Sequence, residues 1–325
     1  MTDAKTARKV LFVTSNRIGD CVISSGLIRE IARQVPGARI TVACGRPPAP
    51  LFRAAPNVER VIILDKKKFA GHWVDLWRQV VGDRWDLVID IRGSALGYLI
   101  PAKRRVIYNR GWETGVRKVE MVSRLIGSDG PLDPEIFLDD RARAEADAVI
   151  ALQLAAGPGP GPILALAPIA HQPGKSWPAA RWGELVDKLK AEPRFAGWRF
   201  MLVGGPGDQP PAAPALAAAG ERGVDFVGKG DILASAAAID RAALFVGNDS
   251  GLMHVAAAAG RPTLGLFGPT EWWLYGPWGP KTRTAASNET RGAFAPIEAL
   301  TTQRVFEAVI ELHDAFIGDR PPLQP

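Results

Sequence analysis

Residues 245–270, FVGNDSGLMHVAAAAGRPTLGLFGPT, combine a buried strand, a tight turn, a small-residue helix and a second strand. The apolar run 243–246 predicts the first strand, and the run 263–267 predicts the second. Between them, residues 252–259 have helical character up to Gly260, which ends the helix. Strand, turn, helix and strand in this order form a βαβ unit. The stretch therefore predicts an α/β fold with a parallel sheet.

The turn of this unit places Asp249 and Ser250 at the start of the predicted helix. A helix N-terminus offers free backbone N–H groups and a positive dipole end, both of which favour a phosphate group. Asp249 is electrostatically unsuited to a phosphate, so it either caps the helix or holds neutral hydroxyl groups. An ordinary N-cap role for Asp249 or Ser250 remains open from the residues alone.

Charge along the 325-residue chain is uneven. Residues 1–110 contain 20 Lys and Arg against 9 Asp and Glu, a balance of +11, whereas residues 111–325 contain 20 against 25, a balance of −5. The basic first third indicates an anionic partner: nucleic acid, a phosphorylated glycolipid or an anionic membrane surface. The alternative is a solvated basic face that affects solubility alone.

Composition restricts the class of protein. With 47% hydrophobic and 23% charged residues, the chain is expected to fold into two globular domains or one large one. Cys21 and Cys44 have no metal-ligand spacing and suit a reducing cytoplasm. No apolar run reaches the roughly 18–20 residues of a membrane span, and the N-terminus lacks the features of a signal peptide.

The chain divides into two α/β halves at the Gly/Pro-rich segment 156–162, which is unsuited to a helix or a central strand. In the first half, a strand at 10–14 leads through SNRIGD into a predicted helix over 22–35. Asp20 lies at that junction, where ligands bind in open α/β sheets. A helix N-cap is the alternative role for Asp20.

Basic residues follow other predicted strands of the first half. They are Lys66, Lys67 and Lys68, Arg92, and the cluster of Lys103, Arg104, Arg105 and Arg110. As loop residues they are candidates for holding phosphate groups, because Arg binds phosphate bidentately and Lys supplies a point charge. An equally open interpretation makes the three lysines a solvated loop.

Candidate residues of the second half also follow predicted strands. Lys175 lies between a strand at 163–167 and a helix at 181–190, and Asp208 follows the strand at 200–203. Residues 271–280, EWWLYGPWGP, are rich in aromatic side chains. These side chains could cover a bound donor substrate, contact the acyl part of a glycolipid acceptor or pack between domains. The sequence does not separate these three roles.

Four motifs together resemble the heptosyltransferases of glycosyltransferase family 9. The motif residues are Arg17, Gly19 and Asp20; Lys175, Trp177, Pro178 and Trp182; Gly247, Asp249, Ser250, Gly251 and His254; and the sequence Gly-Pro-Thr at 268–270. Two positions depart from the family pattern. Asp208 stands where the family often has Glu, and Gly230 replaces a hydroxyl residue, which predicts a weaker ribose contact and one missing hydrogen bond to the donor.

The resemblance implies a GT-B fold, in which two Rossmann-like doubly wound domains face each other across a cleft. Residues 1–156 are then the acceptor-binding domain, residues 163–299 the donor-binding domain, and 300–325 a C-terminal helix packing back on the first domain, with a tail. The implied function is inverting, metal-independent transfer of a heptose or related sugar, with ADP-heptose as the expected donor, to a lipopolysaccharide core acceptor. The implied location is cytoplasmic, peripheral at the inner membrane, with no cofactor and no nucleic acid.

Roles of individual residues follow from the same resemblance. Asp20 is the expected general base. The expected donor-binding residues are Lys175, Asp208, Asp249, Ser250, Gly251 and His254, and the expected acceptor-binding residues are Arg17, Lys66, Lys67, Lys68, Arg92 and Arg105. Two alternatives stay open: a GT-B enzyme with another nucleotide-sugar and acceptor, or a non-catalytic protein that binds carbohydrate or an anionic ligand.

Overall fold

A computed structural model describes residues 8–109 and 115–318 of the chain. The chain separates into two compact units, with the division after Phe137. Each unit has a parallel sheet with helices packed on it, as the alternation of apolar runs and helical patterns predicts. In the described ranges, no helix has the length and apolar character needed to span a bilayer.

The described part of the first unit has a five-stranded parallel sheet in the order β3-β2-β1-β4-β5. Its strands are β1 (Arg8–Val13), β2 (Ala38–Cys44), β3 (Val58–Ile63), β4 (Trp85–Asp90) and β5 (Ala102–Ile107). Its helices are α1 (Ile18–Ile23), α2 (Leu27–Gln34), α3 (Gly71–Val80) and α4 (Lys118–Leu125). The strand order reverses between β1 and β4, so the ligand-binding crevice of such a sheet is expected where these two strands end.

The predicted helix over 22–35 is in fact two helices, α1 and α2, separated at residues 24–26. The break is fixed by the segment after α4. A Cβ atom on Gly26 would lie 2.5 Å from the carbonyl oxygen of Asp133, and Ser25 Oγ accepts a hydrogen bond from the backbone N–H of Glu135 at 2.7 Å. Hydrophobic periodicity continues through the break and therefore does not reveal it.

The second unit has a parallel sheet in the order β11-β10-β9-β6-β7-β8, six strands in its described part. The strands are β6 (Ile163–Ala167), β7 (Arg199–Gly204), β8 (Gly223–Val227), β9 (Leu244–Asn248), β10 (Thr263–Phe267) and β11 (Thr282–Ala286). The helices are α5 (Asp140–Ala155), α6 (Ala179–Ala191), α7 (Gln209–Ala219), α8 (Ile232–Asp240), α9 (Gly251–Ala258), α10 (Trp272–Tyr275) and α11 (Thr302–Phe316). Strand order reverses between β6 and β9.

The boundary between the units lies earlier than the predicted Gly/Pro segment. Helix α5 packs against α8 and β8 of the second unit, and the Gln153 side chain exchanges two hydrogen bonds with the backbone of Asp225, at 2.7 and 2.9 Å. The segment 156–162 therefore connects α5 to β6 within the second unit. Its composition marks a connection that is neither helix nor strand, but not a domain boundary.

The C-terminal helix also differs from expectation. Helix α11 packs against α6, β10 and β11, and it buries Val305, Val309 and Leu312 in the same core as Leu164 and Leu166. The family resemblance implied that residues 300–325 pack on the first domain, whereas the described portion, as far as Gly318, packs within the second unit. The apolar stripe of α11 predicts a buried face, but it does not identify the surface that covers that face.

Candidate active site

An ion pair joins the two strands at which the order of the second sheet reverses. Lys175 Nζ lies 2.6 Å from Asp249 Oδ2, with the two side chains 17% and 7% exposed. Lys175 belongs to the loop after β6, and Asp249 follows β9, which pairs directly with β6. Two donor-side candidates separated by more than 70 residues in sequence therefore meet at the carboxyl edge of the sheet.

Asp249 does not cap helix α9. Its Oδ2 atom accepts hydrogen bonds from Lys175 Nζ and from Thr270 Oγ1, the latter at 2.8 Å. Ser250 is the N-cap residue, yet its side chain makes no capping hydrogen bond, and its Oγ atom is buried without a partner among the described residues. The N-cap alternative for Asp249 is thus wrong, and the N-terminus of α9 keeps its backbone donors at Gly251 and beyond.

The loop carrying Lys175 is held by buried contacts on its far side. The backbone N–H of Trp177 donates to Asn248 Oδ1 at 3.1 Å, and its indole N–H donates to the carbonyl oxygen of Leu300 at 2.8 Å. The rings of Trp177 and Trp182 are buried and meet edge to face, with centroids 5.3 Å apart. The two tryptophans of the motif are therefore core residues that position the lysine.

Asn248 is a site residue that sequence analysis did not identify. It is completely buried at the end of β9, next to Asp249, and its Nδ2 atom has no hydrogen-bond partner in the part of the chain that the structure describes. A buried amide with an unused donor is costly. The available signal was a polar residue at the end of a strand that is otherwise apolar.

His254 and Asp208 occupy the same edge of the sheet. His254 lies one turn into α9 and is buried. Asp208, after β7, is also buried; its Oδ2 accepts the backbone N–H of Gly205 at 2.7 Å, and His171 Nε2 lies 3.3 Å from its Oδ1. His171, in the loop of Lys175, has a side chain that is 80% exposed. Both oxygens of Asp208 thus have neighbours within the unit.

The loop after β8 explains why glycine replaces a hydroxyl residue at position 230. Gly230 has φ of +121°, and a Cβ atom added there would lie 2.7 Å from the Cβ atom of Ala234. Asp231 caps α8 by accepting from the backbone N–H groups of Leu233 and Ala234. The loop conformation therefore disfavours Ser or Thr at position 230, whatever the ligand.

In the first unit, Asp20 lies in the first turn of α1 and is half-buried. Ser15 Oγ donates to Asp20 Oδ2 at 3.0 Å, while Arg17 is the N-cap residue and is exposed. Asp20 is therefore not an N-cap, so that alternative is wrong here as well. The hydrogen bond from Ser15 fixes one carboxylate oxygen of Asp20 at the carboxyl end of β1.

Arg92 is held beside the same point of sheet reversal. It follows β4, and its Nη1 atom donates to Asn16 Oδ1 in the loop after β1 at 2.8 Å. Its guanidinium also lies over the ring of Trp73, 5.2 Å from the centroid. The buried carboxylate of Asp90 accepts the backbone N–H groups of Arg92 and Ser94, and burial raises the pKa of Asp90.

The other basic candidates of the first unit divide into two groups. Lys66, Lys67 and Lys68 are exposed in the loop after β3, where Lys67 Nζ pairs with Asp75 Oδ2 at 2.5 Å. A cavity of about 440 Å³ lies beside this loop, lined by residues that include Lys67, His72 and Arg78. Lys66 and Lys68 therefore remain candidates for binding phosphate groups, whereas Lys67 is already paired with Asp75.

The cluster at 103–105 was expected on a loop and instead lies within the edge strand β5. The Arg105 guanidinium donates to the carbonyl oxygens of Gly97, Ile100 and Ala102, at 2.8 to 2.9 Å. Arg105 therefore stabilises the turn before β5, and its guanidinium does not lie at the ligand-binding edge of the sheet. Arg110 lies outside the described residues.

The aromatic segment, any possible metal ligands and the two cysteines were also considered in the sequence. The aromatic segment forms the short helix α10, and the guanidinium of Arg291 lies 5.4 Å from the ring centroid of Trp273. Within residues 8–109 and 115–318, no three His, Cys, Asp or Glu side chains form a cluster suited to a metal ion. Cys21 and Cys44 are buried free thiols.

Two parallel α/β units, the second with a lysine and a helix N-terminus at its switch point, agree with the GT-B architecture that the sequence motifs imply. Residues 89–296, more than half of the chain, match the family Glycosyltransferase family 9 (heptosyltransferase). The chain belongs to this family and is a glycosyltransferase. The matched segment includes Arg92 and every donor-side candidate, and it begins after Asp20.

Individual relatives agree with the family assignment. The chain is 26% identical to lipooligosaccharide heptosyltransferase 2 of Haemophilus influenzae over 292 residues, which cover 80% of this chain and 83% of the relative. It resembles the structure of Escherichia coli ADP-heptose LPS heptosyltransferase II with a TM-score of 0.74 and 22% identity, covering 94% of this chain and 98% of that one. A family 9 glycosyltransferase from Veillonella parvula gives a TM-score of 0.78 at 19% identity, with 94% and 97% covered. These solved structures confirm the GT-B fold.

Proposed function

We propose that this glycosyltransferase moves a heptose from ADP-heptose to a lipopolysaccharide core acceptor, with inversion at the anomeric carbon and without a metal ion. The names of its relatives support the donor and acceptor, since they include lipooligosaccharide and lipopolysaccharide heptosyltransferases and an ADP-heptose enzyme. A solved heptosyltransferase with ADP, matched at a TM-score of 0.71 and 20% identity, has the same fold.

The observation that carries the proposal is the cluster of Lys175, Asp249 and Thr270 at the switch point of the second sheet. An ammonium group has three N–H donors, and the Asp249 contact uses one of them. The remaining two stabilise the diphosphate of the leaving nucleotide as negative charge develops on it. Asp249 thereby orients the cation that the departing group requires.

The N-terminus of α9 completes the phosphate site. Its backbone N–H groups, beginning at Gly251, and the buried Ser250 hydroxyl supply hydrogen bonds to phosphate oxygens. His254, one turn further along, assists from the same helix. The Asp249 contacts of the described residues both go to Oδ2, so Oδ1 accepts a hydroxyl of the donor sugar.

Asp208 binds the ribose hydroxyls of the donor. Because Gly205 N–H and His171 already approach its two oxygens, ribose binding displaces His171, whose side chain is otherwise exposed and free to move. This contact is weaker than one from a longer Glu side chain. The loop containing Gly230 contributes backbone groups but no hydroxyl.

Asp20 is the general base on the acceptor side. It accepts the proton of the acceptor hydroxyl as that oxygen attacks the anomeric carbon of the heptose, and a carboxylate serves because the proton leaves late in the bond-forming step. Arg17 and Arg92 hold phosphate groups of the acceptor. Arg105 is omitted because three carbonyl oxygens of its own unit occupy its guanidinium, and Lys67 is omitted because its charge is paired with the Asp75 carboxylate.

A donor panel tests this function. Isothermal titration of the purified chain with ADP-heptose and with UDP-sugars, followed by transfer assays with a lipopolysaccharide core acceptor, is expected to show binding and turnover with ADP-heptose. Lys175→Met should weaken donor binding, whereas Lys281→Met, an exposed lysine at the amino edge of β11, should not. Activity only with a UDP-sugar would reject ADP-heptose as the donor. Conversion of a nucleotide-sugar without transfer to an acceptor would indicate an epimerase.

A further inference from the structure

Large apolar side chains are exposed on one part of the first unit. Phe69 is fully exposed, Tyr98 and Leu99 are 70% and 63% exposed, and Val74 and Trp77 are 47% and 38% exposed. These five residues form what we call the Phe69 patch. An exposed apolar patch of this kind on a globular protein marks an interaction surface.

The members of the patch are structural neighbours. Val74 and Trp77 are one turn apart on the exposed face of α3, and Phe69 lies in the loop immediately before that helix. Trp77 Nε1 donates to the carbonyl oxygen of Leu99 at 3.1 Å, which brings the turn containing Tyr98 and Leu99 against α3. The patch therefore combines two separate segments of the chain.

The loop that carries Phe69 has an unfavourable backbone conformation. Phe69 has φ of +52° and Ala70 has φ of +56°, the left-handed region that non-glycine residues seldom adopt. Such strain persists where the surrounding structure or a function maintains it. Here it presents an aromatic side chain to solvent instead of burying it.

Positive charge exceeds negative charge beside the patch. Lys66 and Lys68 are exposed on the N-terminal side of Phe69, whereas Lys67 and Arg78 share the carboxylate of Asp75 on α3. Lysine heads on flexible stems, placed beside Trp, Tyr and Phe, form the combination that occurs at the surface of a bilayer. Two exposed lysines beside an apolar patch complement an anionic lipid surface.

We propose that the Phe69 patch docks the first unit on an anionic lipid bilayer, with Phe69 and Tyr98 inserted at headgroup depth and Lys66 and Lys68 against lipid phosphates. The purpose of this membrane contact depends on the proposed function, because a glycolipid acceptor resides in a membrane. Binding itself requires neither donor nor acceptor. It can therefore be tested separately from transfer.

Vesicle flotation of the full chain tests the proposal. We expect binding to vesicles of equal parts phosphatidylcholine and phosphatidylglycerol, and little binding to phosphatidylcholine alone. Phe69→Ala should lower the affinity about tenfold, from the apolar area removed, and Lys66→Ala with Lys68→Ala should lower it roughly thirtyfold, from two lost charges. Phe294→Ala, an exposed aromatic residue of the second unit, is the matched control and should be unchanged.

Three results would overturn the proposal: no binding to either vesicle, equal binding to both, or unchanged binding by Phe69→Ala. A dimer in analytical ultracentrifugation that Phe69→Ala dissociates would assign the patch to self-association instead. Transfer to a deacylated, water-soluble acceptor separates the two proposals, because Phe69→Ala should leave it unaffected. A chain that binds anionic vesicles but transfers no heptose would reject the proposed function alone.

Discussion

Lys175 Nζ and Asp249 Oδ2 lie 2.6 Å apart and connect the loop after β6 to the turn after β9, the two strands between which the sheet order reverses. Both side chains are mostly buried, so each charge depends on the other for compensation. The pair is formed entirely by residues of the second unit. Its members are also two of the six residues that the sequence motifs predict to bind the donor.

The ion pair should show strong coupling in a double-mutant cycle. Lys175→Met leaves the Asp249 carboxylate without its cation, and we expect it to lower the free energy of unfolding by about 2 kcal/mol, less than for a fully buried pair because the lysine is 17% exposed. Lys175→Met combined with Asp249→Asn should recover most of that loss without recovering activity. Urea denaturation of the four proteins measures the coupling, and additive effects would contradict it.

Asn248 should act as a positioning residue for Lys175. Asn248→Ala removes the acceptor for the Trp177 backbone N–H, and we expect donor affinity to fall about tenfold, the value of one buried hydrogen bond. Asn288→Ala is the matched control, since Asn288 Oδ1 also accepts a backbone N–H, that of Thr290, but in an exposed loop. Titration calorimetry with ADP-heptose measures both, and equal affinities would remove Asn248 from the site.

Restoring the hydroxyl residue of the family pattern at position 230 should destabilise the protein. Gly230→Ser places a side chain at φ of +121° and against the Cβ atom of Ala234, so we expect a loss of roughly 2 kcal/mol of unfolding free energy. Gly82→Ala is the control, because a Cβ atom there meets nothing within 4 Å. A Gly230→Ser variant as stable as the wild type, with tighter donor binding, would show that the loop adapts.

The buried thiols should make stability fall at alkaline pH. Burial raises the pKa of Cys44 to about 12, from an ordinary value of 9.0. The thiol is neutral in both states below pH 9, where its contribution is complete, and that contribution is lost as the pH rises from 9 through the folded-state pKa. The expected slope is about 1.4 kcal/mol per pH unit for this thiol.

Comparison with Cys44→Ala isolates this effect, since lysines and tyrosines titrate in both proteins. Urea denaturation at pH 8, 10 and 11 should give a shallower decline for the variant. Parallel declines would show that Cys44 ionises in the folded protein as readily as in the unfolded one.

Much of the fold follows from the sequence because apolar runs bounded by turn residues determine parallel strands. The predicted strands over 163–167 and 263–267 coincide with β6 and β10. Two elements were not predicted, for physical reasons. The prolines at 210, 211 and 214 are atypical of a helix, so α7 was missed, and the charged residues of β5 are atypical of a strand, so this edge strand was missed.

The candidate site could likewise be predicted from the sequence only in part. Lys175 and Asp249 could be proposed because each follows a strand, and parallel strands bring their carboxyl ends to one edge. Their direct contact could not be predicted, since it depends on side-chain directions set by Trp177 and Asn248. The exposed Phe69 was not identified because a single aromatic residue after three lysines has no periodicity.

The most direct test of the central claim compares turnover of Asp20→Asn with that of the wild type. Asparagine still accepts the hydrogen bond from Ser15, so the fold and the donor affinity should be unchanged. We expect turnover to fall about 10²–10⁴-fold. Asp83→Asn, which alters a carboxylate paired with Lys9 at the amino edge of the first sheet, should lose no activity. Equal turnover in Asp20→Asn and wild type would contradict the assignment of Asp20 as the base.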